Sequence, residues 1–113
     1  MKKYLYYIHN INGFESVNGY IDNDIGYHLI WKTTKNGKRY PNWWVATDLM
    51  SGLRICKAKK LNGCKEKVIF LKKDIEDQKQ TTYYKEKVKE MNDYILGRFT
   101  VHGICRNFKR SKS

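Results

Sequence analysis

The stretch at residues 27–58, YHLIWKTTKNGKRYPNWWVATDLMSGLRICKA, decides the fold, because it reads as three consecutive antiparallel strands. Residues 27–33 are aromatic and β-branched. Asn36-Gly37 follows them and precedes a second such run, which is the strongest short-range hairpin signal because both residues tolerate positive φ. A second strand is therefore expected over about 39–47. Turn residues at 48–52, with Gly52 free to take a left-handed backbone, then lead into a third strand over 53–58.

A period of two sorts these side chains. The more apolar face, carrying Tyr27, Leu29, Trp31, Trp43, Val45, Leu53 and Ile55, is assigned to the core. The face with His28, Lys32, Trp44 and Arg54 is assigned to water. Adjacent tryptophans cannot share a face of a regular strand, and Pro41 just before them marks a bulge or an edge position.

Outward from this stretch, residues 4–11 read as a first strand closed by Asn12-Gly13, and residues 14–17 as a short run ended by Asn18-Gly19. Asn-Gly recurs at 36–37 and 62–63, and this punctuation favours a β-meander in the first half. Residues 20–26 (YIDNDIG) are expected as loop. Their acidic residues lack the spaced ligands of a calcium site.

After Ala58 the period becomes helical. Cys64, Val68, Leu71 and Ile75 make one apolar stripe on a helix over about 63–79 capped by Asn62, and Tyr84, Val88, Met91 and Ile95 make another over about 82–96 after a threonine cap. Neither stripe can bury itself alone. The expected architecture is α+β: an antiparallel meander of about 4–5 strands with two C-terminal helices packed on one face. Residues 99–105 can add an edge strand, so 1–105 form a single domain, and 106–113 (RNFKRSKS) read as a flexible basic tail. The sheet-then-helix order over 27–79 resembles, in architecture alone, the small arm-type DNA-binding modules of phage integrases; no site residue follows from that likeness.

The 113 residues suffice for one domain with its own core. Lys and Arg number 23 against 11 Asp and Glu, a net charge of +12, which calls for an anionic partner such as nucleic acid or an acidic protein. The excess is uneven: residues 1–55 carry +3 and residues 56–113 carry +9. Lys57, Lys59, Lys60, Lys65 and Lys67, with Arg54, form one sequence cluster, and Arg98, Arg106, Lys109, Arg110 and Lys112 close the chain. Trp44, Tyr40 and Phe108 are the aromatic rings that could stack on bases beside them.

No catalytic motif is present: neither a phosphate-binding glycine loop nor a Gly-x-Ser-x-Gly element occurs, and no cofactor is expected. Cys56, Cys64, His102 and Cys105 are thiol and imidazole ligands, but Cys56 and Cys64 are spaced too widely for the usual zinc pair. The odd number of cysteines and the absence of a signal-peptide core or a membrane-length apolar run point to an intracellular, cytoplasmic protein with free thiols. Richness in Lys, Ile, Asn and Tyr points to a low-GC genome or a mobile element or phage within one. Two readings follow: a non-catalytic nucleic-acid-binding protein, or an inhibitor or adaptor that binds a nucleic-acid-handling host enzyme with Trp44 as its anchor.

Overall fold

The computed structural model describes residues 3–96 and the backbone of 100–101, 104–105 and 109–110. Five strands form an antiparallel meander: β1 (Tyr4–Asn10), β2 (Gly13–Asp22), β3 (Ile25–Thr33), β4 (Arg39–Asp48) and β5 (Arg54–Ala58). Three helices follow, α1 (Leu61–Phe70), α2 (Lys72–Gln78) and α3 (Thr82–Ile95). The fold is therefore α+β, with three helices where two were expected. The single edge strand expected over 99–105 is instead a two-stranded pair, β6 (Thr100–Val101) and β7 (Ile104–Cys105), separate from the main sheet. A last short strand, β8 (Lys109–Arg110), pairs with Tyr4 and Leu5 of β1; the rest of the expected basic tail lies outside the described residues.

The four Asn-Gly pairs meet different fates. Gly13 and Gly37 close hairpins with φ of 113° and 81°. Gly63 lies inside α1, which begins after Lys60 without the side-chain cap expected from Asn62. Asn18-Gly19 does not turn at all: β2 runs straight through it, and the hairpin to β3 is made at Asn23, with φ of 55°, so residues 20–26 are largely strand rather than loop. Gly19 is there for close approach, because a Cβ on it would collide with the Tyr27 carbonyl oxygen and lie 2.9 Å from the Tyr6 hydroxyl. Gly26 serves the same ring: its Cβ would sit 2.6 Å from Tyr6 Cζ. Tyr6 is consequently fully buried across two glycines, with its hydroxyl 3.5 Å from Nδ1 of His28.

Register corrects the assignment of the sheet faces. Tyr27 lies opposite Ala46 and Leu29 opposite Trp44, whereas Ile30 lies opposite Trp43 and His28 opposite Val45. Tyr27, Ala46 and Ala58 form a buried cluster with Cys64 of α1, and Trp44 packs against it. Trp44 is thus on the helix side and Trp43 on the other, the reverse of the expectation. His28, expected near water, is buried beneath Tyr6, and Trp31, expected in the core, is 47% exposed. A slip of one residue exchanges every side chain between faces, so this single error in register accounts for the tryptophans.

The helices meet the sheet at its two ends. α1 covers β3 to β5 through Cys64 and Val68. The expected continuous helix over 63–79 breaks at Leu71, whose ψ of 8° is not helical, so α2 starts afresh at Lys72. α3 carries its stripe onto β1 and β2: Met91 and Ile95 are buried against Leu5, Tyr7 and Phe14, and Tyr94 stacks on Phe14 at 4.2 Å. Thr81 caps α3 by accepting from the Tyr84 amide at 3.1 Å.

Buried Asp48 joins these parts. Its Oδ2 accepts from the Ser51 amide at 3.0 Å, the Ser51 hydroxyl at 2.7 Å and the Tyr84 hydroxyl at 2.8 Å. The turn so shaped presents the Gly52 carbonyl to the His9 amide of β1 at 2.8 Å, and Gly52 takes φ of 77° with Met91 packed against it. Asp48→Ala strands two hydroxyls without their acceptor and is expected to cost about 2–4 kcal/mol in urea denaturation, against about 1 kcal/mol for Ser51→Ala.

Burial holds the His28 imidazole below its ordinary 6.5, with Glu15 opposing in part. The unfolded chain therefore binds the proton more readily, so stability is retained above pH 6.5 and falls as pH drops through the region just below it. Melting temperature followed from pH 8 to pH 5 by circular dichroism is expected to show this decline, and His28→Gln to flatten it.

Candidate functional site

The β5 strand is an edge of the main sheet, and its alternation sends Lys57 to the side away from α1 while Ala58 faces that helix. Lys57 stands opposite Val45, and its ammonium reaches the ring of Trp43 at 4.7 Å. Lys59, just past the strand, brings a second ammonium to the same ring at 4.1 Å and donates to Asn42 Oδ1 at 3.2 Å. Asn42 reaches this side because the register shifts between Ile30 and Trp31, leaving it as the extra residue of a bulge beside Pro41. Lys67 of α1 donates to the Lys57 backbone carbonyl at 2.9 Å, which brings its ammonium to the β5 edge rather than to the Trp43 ring.

Two ammoniums thus converge on one indole. A cation over an aromatic face gains roughly 0.5–1 kcal/mol at an exposed site, which favours both ammoniums near the ring without fixing either side chain. Neither has a carboxylate partner among the described residues; the ion pairs there are His9–Glu90 at 3.4 Å and Lys87–Glu90 at 3.0 Å. Two ammoniums therefore lie near one ring without an ion-pair partner among the described residues.

A second basic element lies next to it. From Ile30 to Pro41 every residue is exposed, so the outer half of the β3–β4 hairpin projects from the body as a two-stranded ribbon. It carries Lys32, Lys35, Lys38 and Arg39, and no carboxylate occurs between Asp24 and Asp48. The Arg39 guanidinium lies 5.3 Å from the ring of exposed Trp31, and Tyr40 pairs with Lys32 across the ribbon.

Of the basic residues expected to act together, the structure brings Lys57 and Lys59 to one ring, with Lys67 beside them at the β5 edge. Lys65 goes to the helix side, 5.7 Å over the Tyr27 ring, and Lys60 sits at the start of α1. Arg54 lines a cleft of about 340 Å³ between β5, α2 and α3 that Asp74 also lines, and Trp43 is not part of it. Trp44 packs on the core, so it is withdrawn as a contact residue and Trp43 replaces it. The side chains of Arg98, Arg106, Lys109 and Arg110 lie outside the described residues, as do those of His102, Cys105 and Phe108. Sequence reading missed Trp43 as the centre and the ribbon as a basic arm, although the acid-free run from 25 to 47 was a readable signal for the latter.

Among the described residues no three His, Cys, Asp or Glu side chains gather to hold a metal, and no helix is long and apolar enough to cross a membrane. Comparison with protein-family models, curated proteins and solved structures found no match.

The two tryptophans should respond differently to substitution. Trp44→Ala is expected to cost about 2–4 kcal/mol of stability in urea denaturation by opening the layer beneath α1, and Trp43→Ala less than half of that.

Proposed function

We propose that this chain is a small, non-catalytic nucleic-acid-binding protein that contacts phosphates through Lys57, Lys59 and Lys67 and through the cations of the β3–β4 ribbon. The observation that carries the reading is the pair of ammoniums held on Trp43 without a carboxylate. A phosphate between them replaces their repulsion by attraction and releases counterions, the main source of sequence-independent affinity. The ribbon adds four cations, and Trp31 supplies an exposed ring on which an unpaired base can stack.

Retardation of duplex and single-stranded oligonucleotides at several salt concentrations tests this. Affinity is expected to fall linearly in a log-log plot, and Lys57→Ala or Lys59→Ala to make the slope shallower by about one each for duplex DNA. Lys72→Ala on α2 serves as the charge-matched control. Trp31→Ala is expected to weaken single-stranded binding by about 1–3 kcal/mol and duplex binding much less. A slope near zero, or no binding at low salt, sinks the proposal.

A second reading, an inhibitor or adaptor of a nucleic-acid-handling protein, is favoured by Ile69 and Phe70 at the end of α1, which are 74% and 88% exposed. Large apolar side chains left in water are the usual anchors of protein interfaces. Under this reading Phe70→Ala abolishes capture of a stoichiometric protein that survives nuclease treatment, while retardation of oligonucleotides is unchanged.

A further inference from the structure

We propose that Cys56 and Cys64 form a dithiol that small disulfides of the glutathione class convert into an intramolecular disulfide joining β5 to α1. The two Sγ atoms lie 3.9 Å apart, close to van der Waals contact, although the residues are eight positions apart in the chain and belong to different layers. Closing a bond of about 2.05 Å requires the sulfurs to approach by a further ~1.9 Å, within reach of side-chain rotation and a small shift of the helix. The cluster around them is apolar, formed by Tyr27, Ala46 and Ala58 with Trp44 and Val68 packed on it. No third ligand from His, Asp or Glu completes a metal site among the described residues, so thiol chemistry is what the pair offers.

The pair is asymmetric, which sets the order of events. Cys56 is half-buried, and burial raises its pKa while the hydrogen bond with Cys64 and then the charge of Lys67 oppose this in part. Cys64 is fully buried, and its pKa is pushed up to about 12, chiefly by burial. Cys56 is therefore the sulfur that meets a reagent from solvent. Its thiolate attacks one sulfur of the oxidised reagent, forming a mixed disulfide and expelling one thiolate that takes up the proton. Cys64 then gives up its proton, attacks Sγ of Cys56 and expels the second reagent thiol. Two protein thiols are oxidised and one small disulfide is reduced to two thiols. Because little thiolate is present at neutral pH, the reaction is slow and accelerates with rising pH.

Incubation of the native chain with oxidised glutathione, followed by peptide mapping and mass spectrometry, tests this. The expected product is a monomer that has lost two hydrogens, with the Cys56 peptide linked to the Cys64 peptide and Cys105 outside the bridge. In Cys64→Ser the mixed disulfide on Cys56 should accumulate, since no second thiol resolves it. In Cys56→Ser, Cys64 should remain unmodified while circular dichroism reports a folded chain. A Cys56 adduct that persists in the unaltered chain, a bridge to Cys105, a disulfide-linked dimer, or both thiols unreacted after prolonged exposure at pH 8.5 would each overturn the proposal. The outcome is independent of nucleic-acid binding, because it is read from the thiols alone.

Discussion

One buried carboxylate holds the layers of this protein in register. Asp48 ends β4, and three donors from the following turn and from α3 converge on a single oxygen of it. The turn it shapes reaches across to β1 through the Gly52 carbonyl, so the last hairpin of the meander is fastened to the first strand. Its remaining oxygen, Oδ1, is buried without a partner among the described residues. That atom carries a desolvation cost, which the three bonds on Oδ2 must offset for the arrangement to be stable.

The same sheet presents two surfaces of opposite character. On one side, α1 and α3 cover the sheet; the other buries Tyr6, His28 and Val45 over part of its area and presents Trp43 with its lysines at the β5 edge, while the β3–β4 ribbon carries its cations beyond the body. Among the carboxylates, Glu90 pairs with His9 and Lys87, Asp74 lines the same cleft as Arg54, and Glu15 lies close enough to His28 to oppose the lowering of its pKa. Lys57, Lys59 and the four cations of the ribbon have no ion pair among the described residues.

Strands, helices and the change between them were legible at sequence level because they rest on local periodicity. The stripes Cys64-Val68-Leu71-Ile75 and Tyr84-Val88-Met91-Ile95 marked the helical region, and Gly37 and Gly52 took the left-handed backbone that their turns require. The cluster of lysines after residue 56 was equally visible, since charge is a property of composition. The break at Leu71 was not, because the apolar stripe runs through it without interruption.

Which face each side chain occupies was decided only in three dimensions. Beside the loop at residues 35–37 the hairpin pairs odd positions of β3 with odd positions of β4, as hydrophobicity alone had grouped them. The bulge at Asn42 then shifts the register by one, so beside the core odd positions face even ones. Asn18-Gly19 likewise has a turn sequence and a strand conformation, because the Tyr6 ring and the Tyr27 carbonyl require a residue without Cβ there. Sequence thus determined most of the strands, the helical region, the α+β class and the sign of the charge, all set by neighbours along the chain. Tertiary packing chose the register, and with it Trp43 over Trp44 and the meeting of Cys56 with Cys64, because those depend on contacts between residues that the chain keeps far apart.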